Sequence, residues 1–476
     1  MKNQNRQYRW LVLPVENYIR EFNGKLLLAA VAAERGWATI MGYKGYVRNH
    51  LPPMRGVAIE INMHNESRFE HYSQEGWRVS AWDEEGLIYL NGEEYCRRRV
   101  DAAAIKKLDC VFLWGQNQQD DLARYTTGAQ NKWVLSGNPR ADLLRPDLRQ
   151  FYAADVARIR RAHGPFILIN TNFGYVNHYF GRDYIFKVLS DQGGIASEAQ
   201  AADQRAREQH QEALMRAFIG MLPALSEQFA QHKIVVRPHP SEDFDTWRNA
   251  VQGLPNVSMI HEGDAVPWIL ASAAVIHNSC TTGVQAYLLD RPVISYMPVR
   301  SETYDQYLPN ALSSRAADLD ELLALVRRAV LDAESLSEAP DENKRQIARK
   351  YVACLDGPWA AQRIMDQIDK LEIGAQPVDP ALASALRADG RRPSVNARAM
   401  LRSGLRRLRD ALRRKGPPTP PGTRTWATYT NQRFPSLTLD EMRGDLERLK
   451  EATGRFADVR LYHTAEDLIC ILPSAI

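Results

Sequence analysis

The segment with the clearest potential for chemistry is Arg237-Pro238-His239-Pro240, which follows the apolar run KIVV. The apolar run predicts a buried strand, and two prolines around a histidine prevent its hydrogen-bond ladder from continuing. The chain must turn sharply there, which would aim Arg237 and His239 into a cleft. Both side chains can donate hydrogen bonds to phosphate oxygens. We therefore predict a phosphate-binding turn; the alternative is a rigid turn around a histidine whose hydrogen bonds are already satisfied.

A second group of small polar residues follows the apolar run at 274–276. Its members are His277, Asn278, Ser279, Thr281, Thr282 and Gly283. The first three end a predicted strand and the others open a predicted helix. Hydroxyl groups and free backbone amides at a helix N-terminus form an anion site. Simple helix capping needs only one such residue, so the sequence favours nucleotide or donor binding. The sequence contains no GxxxxGK[ST] loop, which argues against a Walker A site.

Asn170, Thr171 and Asn172 follow a third apolar run, FILI. They place hydrogen-bonding side chains at the end of another predicted strand. The sequence allows two interpretations equally here, namely contacts with the same nucleotide donor or an ordinary turn.

A carboxylate-rich loop, Asp83-Glu84-Glu85-Gly86, follows the predicted strand WRVSA. Adjacent like charges in a confined loop repel each other, so the pKa of one carboxylate should rise. A carboxylate with a raised pKa is suited to act as a general base. The apolar flanks suggest that the loop is partly buried, and a solvated acidic loop is an equally weighted alternative.

Metal binding is not predicted. Two DxD-like triplets, at 243–245 and 318–320, superficially match the metal site of some sugar transferases. The first is expected to precede a helix and the second to lie within one. Histidines such as His50, His64 and His71 lack the spacing of metal ligands.

The elements that must position these residues alternate between short apolar runs and amphipathic helical patterns. The predicted strands are 9–15, 37–41, 57–61, 77–81, 109–114, 132–137, 165–170, 233–238, 257–261, 274–278 and 291–296. Nearly continuous apolar strands spaced by helices indicate parallel sheets covered on both faces. The sequence therefore predicts an α/β protein with two doubly wound, Rossmann-like domains, and a ligand in the cleft at the carboxyl ends of the strands.

The predicted domain boundaries follow breaks in this alternation. Residues 1–150 form an N-terminal, acceptor-binding domain, and residues 151–372 form a donor-binding domain whose last helices cross back over both domains. Residues 373–425 form a linker with a basic amphipathic helix. Residues 426–476 form a small α/β cap.

Composition excludes several classes of protein. The chain has 476 residues, of which 45% are hydrophobic, 25% charged and 9% aromatic, which excludes a disordered or fibrous protein. Five scattered cysteines without CxxC spacing favour a reducing compartment. The N-terminal apolar stretch is too short for a signal peptide, and the sequence has no window of about 18 uncharged apolar residues. We therefore expect a soluble, cytoplasmic protein.

The net charge of +4 conceals one strongly basic segment. Residues 391–415 contain ten Arg or Lys and one acid, Asp410. Leu401, Leu405, Leu408 and Leu412 share one face of the predicted helix, and the region 394–415 is expected to lie on an anionic membrane surface. Nucleic acid is disfavoured as a partner because the helix has no aromatic residue to stack on bases. Packing of the leucines on the protein body is the alternative.

Six motifs occur in an order that resembles one protein family. They are PVENYIREFNGKLLLA, DEEGLIY, SGNPRADLLRP, ILINTNFGYVN, VVRPHPSE and HNSCTTGVQA. Together they resemble the bacterial surface carbohydrate biosynthesis proteins over roughly residues 8–370. These are similar to glycosyltransferases of the GT-B fold that use CMP-activated 2-keto sugar acids such as Kdo and sialic acids.

The resemblance implies roles for particular residues. His239-Pro240 corresponds to a motif that binds the CMP phosphate, and 279–282 to the nucleotide loop. Glu84-Glu85-Gly86 corresponds to the motif with the catalytic acid, and Asp83 lies beside it. The donor carboxylate needs a cation, for which Arg20 or Lys25 is the candidate. Such enzymes are metal-independent, so no cofactor is expected.

One departure from the family bears on stereochemistry. Related retaining β-Kdo transferases are thought to use an Asp nucleophile where this chain has Asn170-Thr171-Asn172. An amide cannot form a glycosyl ester, so either the nucleophile comes from elsewhere or the enzyme inverts by direct displacement, which we favour. Two other functions stay open, namely a CDP-alcohol phosphotransferase of the teichoic-acid type and a non-catalytic membrane-associated assembly factor.

Overall fold

The computed structural model describes residues 7–48, 51, 54–191, 193–331, 341–389, 424–433, 435–465 and 468–473. Within them, two sheets, one mainly and one entirely parallel, are each covered by helices, which confirms the predicted fold class of two Rossmann-like domains facing a cleft. All eleven predicted strands are present, with ends that differ by a few residues at most.

The first sheet combines strands from both ends of the chain. Its strands are β1 (Gln7–Val15), β2 (Trp37–Tyr43), β3 (Val57–Glu60), β4 (Arg78–Trp82), β5 (Val111–Leu113), β6 (Trp133–Leu135), β13 (Gln376–Pro377), β14 (Arg460–Ala465) and β15 (Leu468–Leu472). The order is β14-β15-β2-β1-β3-β4-β5-β6, with β13 paired to β1. Strands β1 to β6 are parallel, and β15 runs antiparallel to β2.

The second sheet is entirely parallel. Its strands are β7 (Phe166–Asn170), β8 (Lys233–Arg237), β9 (Val257–Met259), β10 (Ala274–His277), β11 (Val293–Tyr296) and β12 (Ser314–Ala316). The order β12-β11-β10-β7-β8-β9 places the start of the domain at the centre of the sheet. This is the doubly wound arrangement, in which the direction of winding reverses between β7 and β10.

The helices cover both faces of the two sheets. Those of the first domain are α1 (Tyr18–Glu34), α2 (Lys44–Val47), α3 (Glu66–Gln74), α4 (Gly92–Arg99), α5 (Ala102–Lys106), α6 (Gln116–Tyr125) and α7 (Pro139–Asp142). Those that follow, through the second domain, are α8 (Ala153–His163), α9 (Tyr184–Asp191), α10 (Glu198–Gln228), α11 (Phe244–Ala250), α12 (Ala265–Ala271), α13 (Thr281–Leu288), α14 (Tyr307–Leu312) and α15 (Leu319–Leu331).

The C-terminal helices return towards the first domain. They are α16 (Glu342–Tyr351), α17 (Ala360–Ile368), α18 (Pro380–Asp389), α19 (Trp426–Arg433) and α20 (Leu439–Thr453). Single 3-10 turns lie at Gln130–Lys132, Arg149–Tyr152 and Asp369–Leu371. Helix α16 contacts α14 of the second domain and α6 of the first, and α17 packs on α1, so these helices do cross between the domains.

Helix α1 shows how local sequence positions the cleft. It begins at Tyr18 because Asn17 caps it by accepting a hydrogen bond from the Arg20 backbone N–H at 3.3 Å. The Glu21 carboxylate accepts the backbone N–H groups of Glu16 and Asn17 at 3.0 and 3.2 Å. These bonds satisfy amides that a helix end leaves open. The N-terminus of α1 is thereby held at the cleft.

The predicted separate cap at 426–476 needs correction. Strands β14 and β15 extend the first sheet through antiparallel pairing of β15 with β2, and α20 packs against the 3-10 turn at Arg149–Tyr152. Arg448 also pairs with Asp155 at 2.6 Å. The apolar residues of β15 are buried alternately in the apolar clusters on the two opposite faces of that sheet, which explains why they form part of the first domain.

The predicted basic helix at 394–415 lies outside the described residues. Within the described residues, no helix is both long enough and apolar enough to cross a membrane.

Candidate functional site

The two domains enclose a cavity of about 1010 Å³ at the carboxyl ends of their strands. The loops after β1, β3 and β4 line one side, and the loops after β7, β8 and β10 line the other. The second side includes the point where the winding of the second sheet reverses, which is where doubly wound domains bind ligands. Residues from the carboxylate loop of the first domain and from the predicted nucleotide-binding turns of the second domain therefore line the same cavity.

His239 lies in the turn after β8 and lines the cavity. Its Nδ1 accepts the backbone N–H of Ser241 at 3.2 Å and lies 2.7 Å from the Ser241 hydroxyl. The proton of the neutral ring therefore resides on Nε2, which is the donor that the ring can offer to a ligand. Burial, with help from the charges of Arg433 and Arg20, lowers the pKa of His239 to about 4. The free site thus holds a neutral histidine at physiological pH.

A buried carboxylate organises this turn, and sequence reasoning did not find it. Glu242 is completely buried and accepts hydrogen bonds from the His239 backbone N–H at 3.0 Å, the Thr171 hydroxyl at 2.7 Å and the Trp247 indole at 2.8 Å. Burial raises its pKa. Glu242 therefore joins the loop after β7 to the turn after β8. Nothing in the local sequence distinguishes it from a solvated acid.

Arg237, predicted to donate to a phosphate, is bonded to the loop that precedes α12. Its Nη1 donates to the Glu262 carbonyl at 2.9 Å, and its Nη2 donates to the Gly263 carbonyl. Burial lowers its pKa to about 10. These bonds fix the loop that precedes α12, where Asp264 caps the helix by accepting the Val266 N–H at 3.1 Å. Arg237 borders the cavity, and two of the five donors of its guanidinium group are bonded within the protein.

His277 also differs from its predicted role. Its side chain is completely buried and does not line the cavity. Its Nε2 lies 2.8 Å from the Ser313 hydroxyl, and burial lowers its pKa to about 3. A Cβ atom at Gly283 would lie 2.4 Å from the His277 ring, so the glycine is required for this packing. His277 and Gly283 support α13 from behind instead of binding a ligand.

The N-terminus of α13 opens onto the cavity. Ser279, Thr281 and Thr282 line it, whereas Asn278 is buried and donates to the Asn172 carbonyl at 3.2 Å. The N-cap residue is Cys280, whose side chain makes no capping hydrogen bond to the helix. Helix α13 therefore directs its positive end towards the cavity.

Ser279 has φ +55°, in the left-handed region, and exchanges hydrogen bonds with the Asn310 side chain at 2.8 and 3.1 Å. These bonds hold the loop in a conformation that L-residues rarely adopt. The loop before α13 is therefore fixed at the cavity wall.

Asn170 supplies an unsatisfied donor beside this helix. It ends β7, pairs with Arg237 on one side and His277 on the other, and lines the cavity. It is 3% exposed, and its Nδ2 finds no hydrogen-bond partner among the described residues. A buried amide without a partner is costly, which indicates a place that a ligand acceptor would fill. Pro240 and Asn172 border the same space.

Two acids of the carboxylate loop after β4, Glu84 and Glu85, line the cavity, and only Glu85 is exposed. Asp83 is completely buried and binds Arg99 through both oxygens. Glu84 is 5% exposed and accepts the Trp82 indole at 2.9 Å, with Lys25 at 3.1 Å and Arg140 at 3.5 Å. Glu84 is thereby held in the wall of the cavity, whereas Asp83 does not line it.

Glu85 is the accessible carboxylate, with a side chain 52% exposed. Arg20 Nη1 lies 2.5 Å from its Oε1. The Arg20 charge lowers the pKa of Glu85 to about 2. The expectation that repulsion raises a pKa in this loop is therefore wrong for Glu85, because a cation from α1 outweighs the neighbouring acids.

The Lys25 ammonium group is not available to pair with a ligand carboxylate. It is 2% exposed, and its Nζ donates to the Pro14 carbonyl at 2.7 Å and to Glu21 at 2.7 Å, with Glu84 at 3.1 Å. The charge of Lys25 is fully used inside the first domain. Of the two predicted cations, only Arg20 borders the cavity.

The structure adds lining residues that sequence reasoning missed. Arg99 and Arg140 come from the first domain, and C-terminal residues at 431–433 and 435–437 form part of the cavity wall. None of these residues stands next to a predicted motif in a way that would reveal its position, apart from Arg140 in the run SGNPRAD. Among the described residues, no group of three or more His, Cys, Asp or Glu is arranged to hold a metal ion.

Comparisons with known proteins bear on the fold. No family model matches the chain, and no curated protein matches it either. Among solved structures, the wall teichoic acid polymerase TagF is similar to this chain at 12% sequence identity and a TM-score of 0.43. The alignment covers 76% of this chain and 88% of the TagF chain.

Two UDP-GlcNAc 2-epimerases are similar at the same level. The enzyme from Methanocaldococcus jannaschii covers 76% of this chain and 99% of its own at 10% identity and a TM-score of 0.45. That from Neisseria meningitidis covers 76% and 100% at 12% identity and a TM-score of 0.46. The GT-B-like arrangement of this chain rests on its own two sheets and the cleft between them.

Proposed function

We propose that this protein is a glycosyltransferase that moves a 2-keto sugar acid, of the Kdo type, from a CMP-activated donor to a cell-surface glycan. The observation that carries the proposal is the division of the cavity. The second domain supplies the His239 Nε2 donor, the unpaired Asn170 amide and the positive end of α13, whereas the first domain supplies Glu85. The anion-binding groups of the second domain thus face the candidate base Glu85 of the first domain across one cavity.

The leaving group would be bound by the second domain. Donation from His239 Nε2 and from the amides at the start of α13 would offset the charge that develops on the CMP phosphate as its bond to the sugar breaks. Phosphate binding would raise the pKa of His239 from about 4, because an anion favours the imidazolium form. The Asn170 Nδ2 group would donate its unused hydrogen bond to an acceptor atom of the CMP-sugar.

The base would be Glu85. The acceptor hydroxyl oxygen attacks the anomeric carbon, its proton passes to Glu85, and the electron pair of the breaking bond leaves on the CMP phosphate. A pKa of about 2 makes Glu85 a weak base while Arg20 holds it. The donor's own carboxylate would draw Arg20 away, which would raise the pKa of Glu85 once the donor is bound. Arg20 would then serve as both the donor-carboxylate cation and the control of the base.

Direct inversion agrees with the surroundings of the loop after β7. A carboxylate does lie against this loop, since Glu242 accepts from Thr171 at 2.7 Å. It is completely buried and holds several further donors, so a sugar carbon cannot reach it without rearrangement. We therefore assign no nucleophilic role to Glu242.

The acceptor would be lipid-linked or polysaccharide in nature, as in lipopolysaccharide or capsule, and no metal or other cofactor would be required. The chain would work at the inner face of the cytoplasmic membrane, held there by 394–415. Nucleic acid would not be a partner. Liposome flotation of the full chain and of a chain that lacks only residues 394–415 tests the membrane component, because that deletion leaves β13 to β15 in place.

Nucleotide binding tests the donor class. Isothermal titration with CMP, CDP, UMP, UDP and cytidine should show the tightest binding for CMP and a large loss for cytidine, which lacks the phosphate. Preference for a uridine nucleotide would contradict the proposed donor. CDP-glycerol turnover with CMP release would instead favour the CDP-alcohol phosphotransferase.

A further inference from the structure

Ser241 contacts the Nδ1 atom of His239 through two different groups. Its backbone N–H donates to Nδ1 at 3.2 Å, and its hydroxyl oxygen lies 2.7 Å from the same atom. Among the described residues, these are the only hydrogen-bond partners of Nδ1, and Ser241 Oγ bonds to no other atom. The hydroxyl group of Ser241 therefore serves the histidine ring alone.

The two Ser241 groups differ in what they can offer to the ring. A backbone N–H can only donate a hydrogen bond, whereas a hydroxyl group can donate or accept one. When His239 is neutral, both groups donate to Nδ1 and the ring proton stays on Nε2. In the imidazolium form Nδ1 carries a proton as well, and that proton needs an acceptor. Within the described part of the chain, the Ser241 hydroxyl oxygen is the acceptor at hydrogen-bond distance.

Gly174, in the loop after β7, leaves room for this hydroxyl group. A Cβ atom on Gly174 would lie 2.4 Å from Ser241 Oγ, which is too close, and 3.5 Å from Ser241 Cβ. Gly174 does not have a positive φ, so the backbone itself would accept an alanine there. The Ser241 carbonyl also accepts the Tyr179 backbone N–H at 2.9 Å, which fixes the serine backbone. The surroundings thus hold Oγ against Nδ1.

The charges around His239 mostly oppose a second proton on the ring. Burial and the fields of nearby cations lower its pKa to about 4, and Glu85 is the acid that acts in the opposite direction. Glu242 accepts the backbone N–H of His239 and does not bond to the ring. The charged or titratable groups outside the turn that act on the ring are Arg20, Glu85, His178, His261 and Arg433. A phosphate at Nε2 would supply a further negative charge.

We propose that Ser241 is a positioning residue whose hydroxyl group changes from donor to acceptor, so that His239 takes up a proton from solvent when it binds a phosphate group. The proton adds to the Nδ1 lone pair, and the Ser241 hydroxyl oxygen accepts the new N–H. The imidazolium then donates a charge-assisted hydrogen bond from Nε2, which is stronger than the bond from a neutral ring. The inference rests on the proposed function in one respect, since it takes the ligand to be the phosphate of a nucleotide donor.

The test compares Ser241→Ala and Gly174→Ala with wild type by NMR of isotope-labelled histidine rings. The probe is the methyl ester of CMP, a phosphodiester like the donor, whose own charge does not titrate near neutral pH. In wild type the probe should raise the pKa of His239, because an anion favours the imidazolium form. In both variants, proton binding to His239 in the complex should be at least about tenfold weaker than in wild type, because the charged ring loses its acceptor.

Ser67→Ala is the matched control, because Ser67 is exposed on α3 and bonds to Asn65. It should give the wild-type pKa of His239 with and without the probe. An equal rise of this pKa in wild type, Ser241→Ala and Gly174→Ala would overturn the inference.

A second measurement needs no nucleotide. Ser241→Ala keeps the backbone N–H, so the neutral ring should keep its proton on Nε2, which shows that the turn is intact. As the pH is lowered towards about 4, the ring should begin to protonate at a lower pH in both variants than in wild type. Equal pKa values of His239 in the three ligand-free proteins would contradict the role of Ser241. Lower values in both variants would support it even if wild type does not bind the probe, and that failure would count against the proposed function. Should Ser241→Ala not fold, Gly174→Ala is judged by the same criteria.

Discussion

Arg20 Nη1 lies 2.5 Å from Glu85 Oε1, so the one exposed acid of the carboxylate loop is held by a cation from the first helix. The pair borders the same cavity as His239, and both of its charges act on the histidine pKa. This relationship connects the two halves of the proposed mechanism. A donor carboxylate that takes Arg20 would release Glu85 at the moment when a base is needed.

Glu85→Gln should separate chemistry from binding. The substitution keeps the shape of the side chain and removes its basicity, so turnover should fall by about 10² or more while CMP affinity stays close to wild type. Release of CMP from a CMP-sugar in the presence of acceptor measures the first quantity, and calorimetry measures the second.

Glu84→Gln is the matched control for Glu85→Gln. Glu84 is buried among Lys25, Arg140 and the Trp82 indole, so its substitution leaves cations unpaired and should lower stability. Its melting temperature should fall, whereas that of Glu85→Gln should change little. Full activity in Glu85→Gln with loss in folded Glu84→Gln or Asp83→Asn would move the role of base to that neighbour.

Arg20→Gln should change the pH dependence of the reaction. Arg20 lowers the pKa of Glu85 to about 2, and its loss should let this pKa rise towards the ordinary value of 4.5. The acid limb of kcat/KM reports the base of the free enzyme, so it should move to higher pH. Superimposable pH profiles for wild type and Arg20→Gln would show that the pair does not control the base.

His239→Ala should weaken CMP binding. The change removes the Nε2 donor, which at a charged acceptor contributes roughly 1.5–3 kcal/mol, or about tenfold or more in affinity. Cytidine affinity serves as the internal control, since it lacks the phosphate that His239 would bind. A folded His239→Ala protein with wild-type CMP affinity would remove the phosphate site from this turn.

Acid should destabilise the fold through its buried histidines. Burial lowers the pKa of His277 from 6.5 to about 3, so the unfolded chain binds a proton that the folded chain does not between those values. The free energy of unfolding should therefore fall as pH decreases from about 6.5 towards 3, by roughly 2 kcal/mol at pH 5 for a completely buried histidine. Urea unfolding at pH 7 and pH 5 measures this loss.

His277→Gln provides the comparison for the acid effect. The glutamine cannot titrate, so the variant should be less stable than wild type at pH 7 but lose less stability on acidification. Equal losses in the two proteins would assign the pH dependence to other groups.

Direct inversion predicts that no covalent sugar intermediate forms. Intact-protein mass spectra recorded with donor alone should show no adduct, because the loop at Asn170-Thr171-Asn172 has no carboxylate and Glu242 is buried behind it. An adduct mapped to any Asp or Glu would establish a retaining mechanism.

The strands and the turns that follow them could be predicted from sequence because their signal is local. A run such as FILIN is buried on both faces of a parallel sheet, and the polar residue at its end must then lie at the sheet edge. The prolines around His239 likewise act within the turn that contains them. These features supplied the fold and the place of His239, Asn170 and Glu85 at one cavity.

The partners of those residues could not be predicted because they are distant in the chain. Arg20 meets Glu85 across 65 positions, and Gln432 meets Pro240 across 192. The sequence shows candidate cations and candidate acids, but it does not show which cation neutralises which acid. This is why the sequence predicts a raised pKa for one carboxylate of the 83–85 loop, whereas Arg20 lowers that of Glu85. It is also why the sequence assigns Arg237 and His277 to a ligand, although both bond to other parts of the protein.

The most direct test of the account is nucleotide release from a panel of activated donors. The protein is incubated with CMP-Kdo, CMP-sialic acid, UDP-GlcNAc and CDP-glycerol, each with a bacterial glycan-lipid extract as acceptor, and the released nucleotide is quantified. The account predicts CMP release from a CMP-linked 2-keto sugar acid, dependent on acceptor and abolished in Glu85→Gln. Release from the uridine donor or from CDP-glycerol alone, or from none of the four, would contradict it.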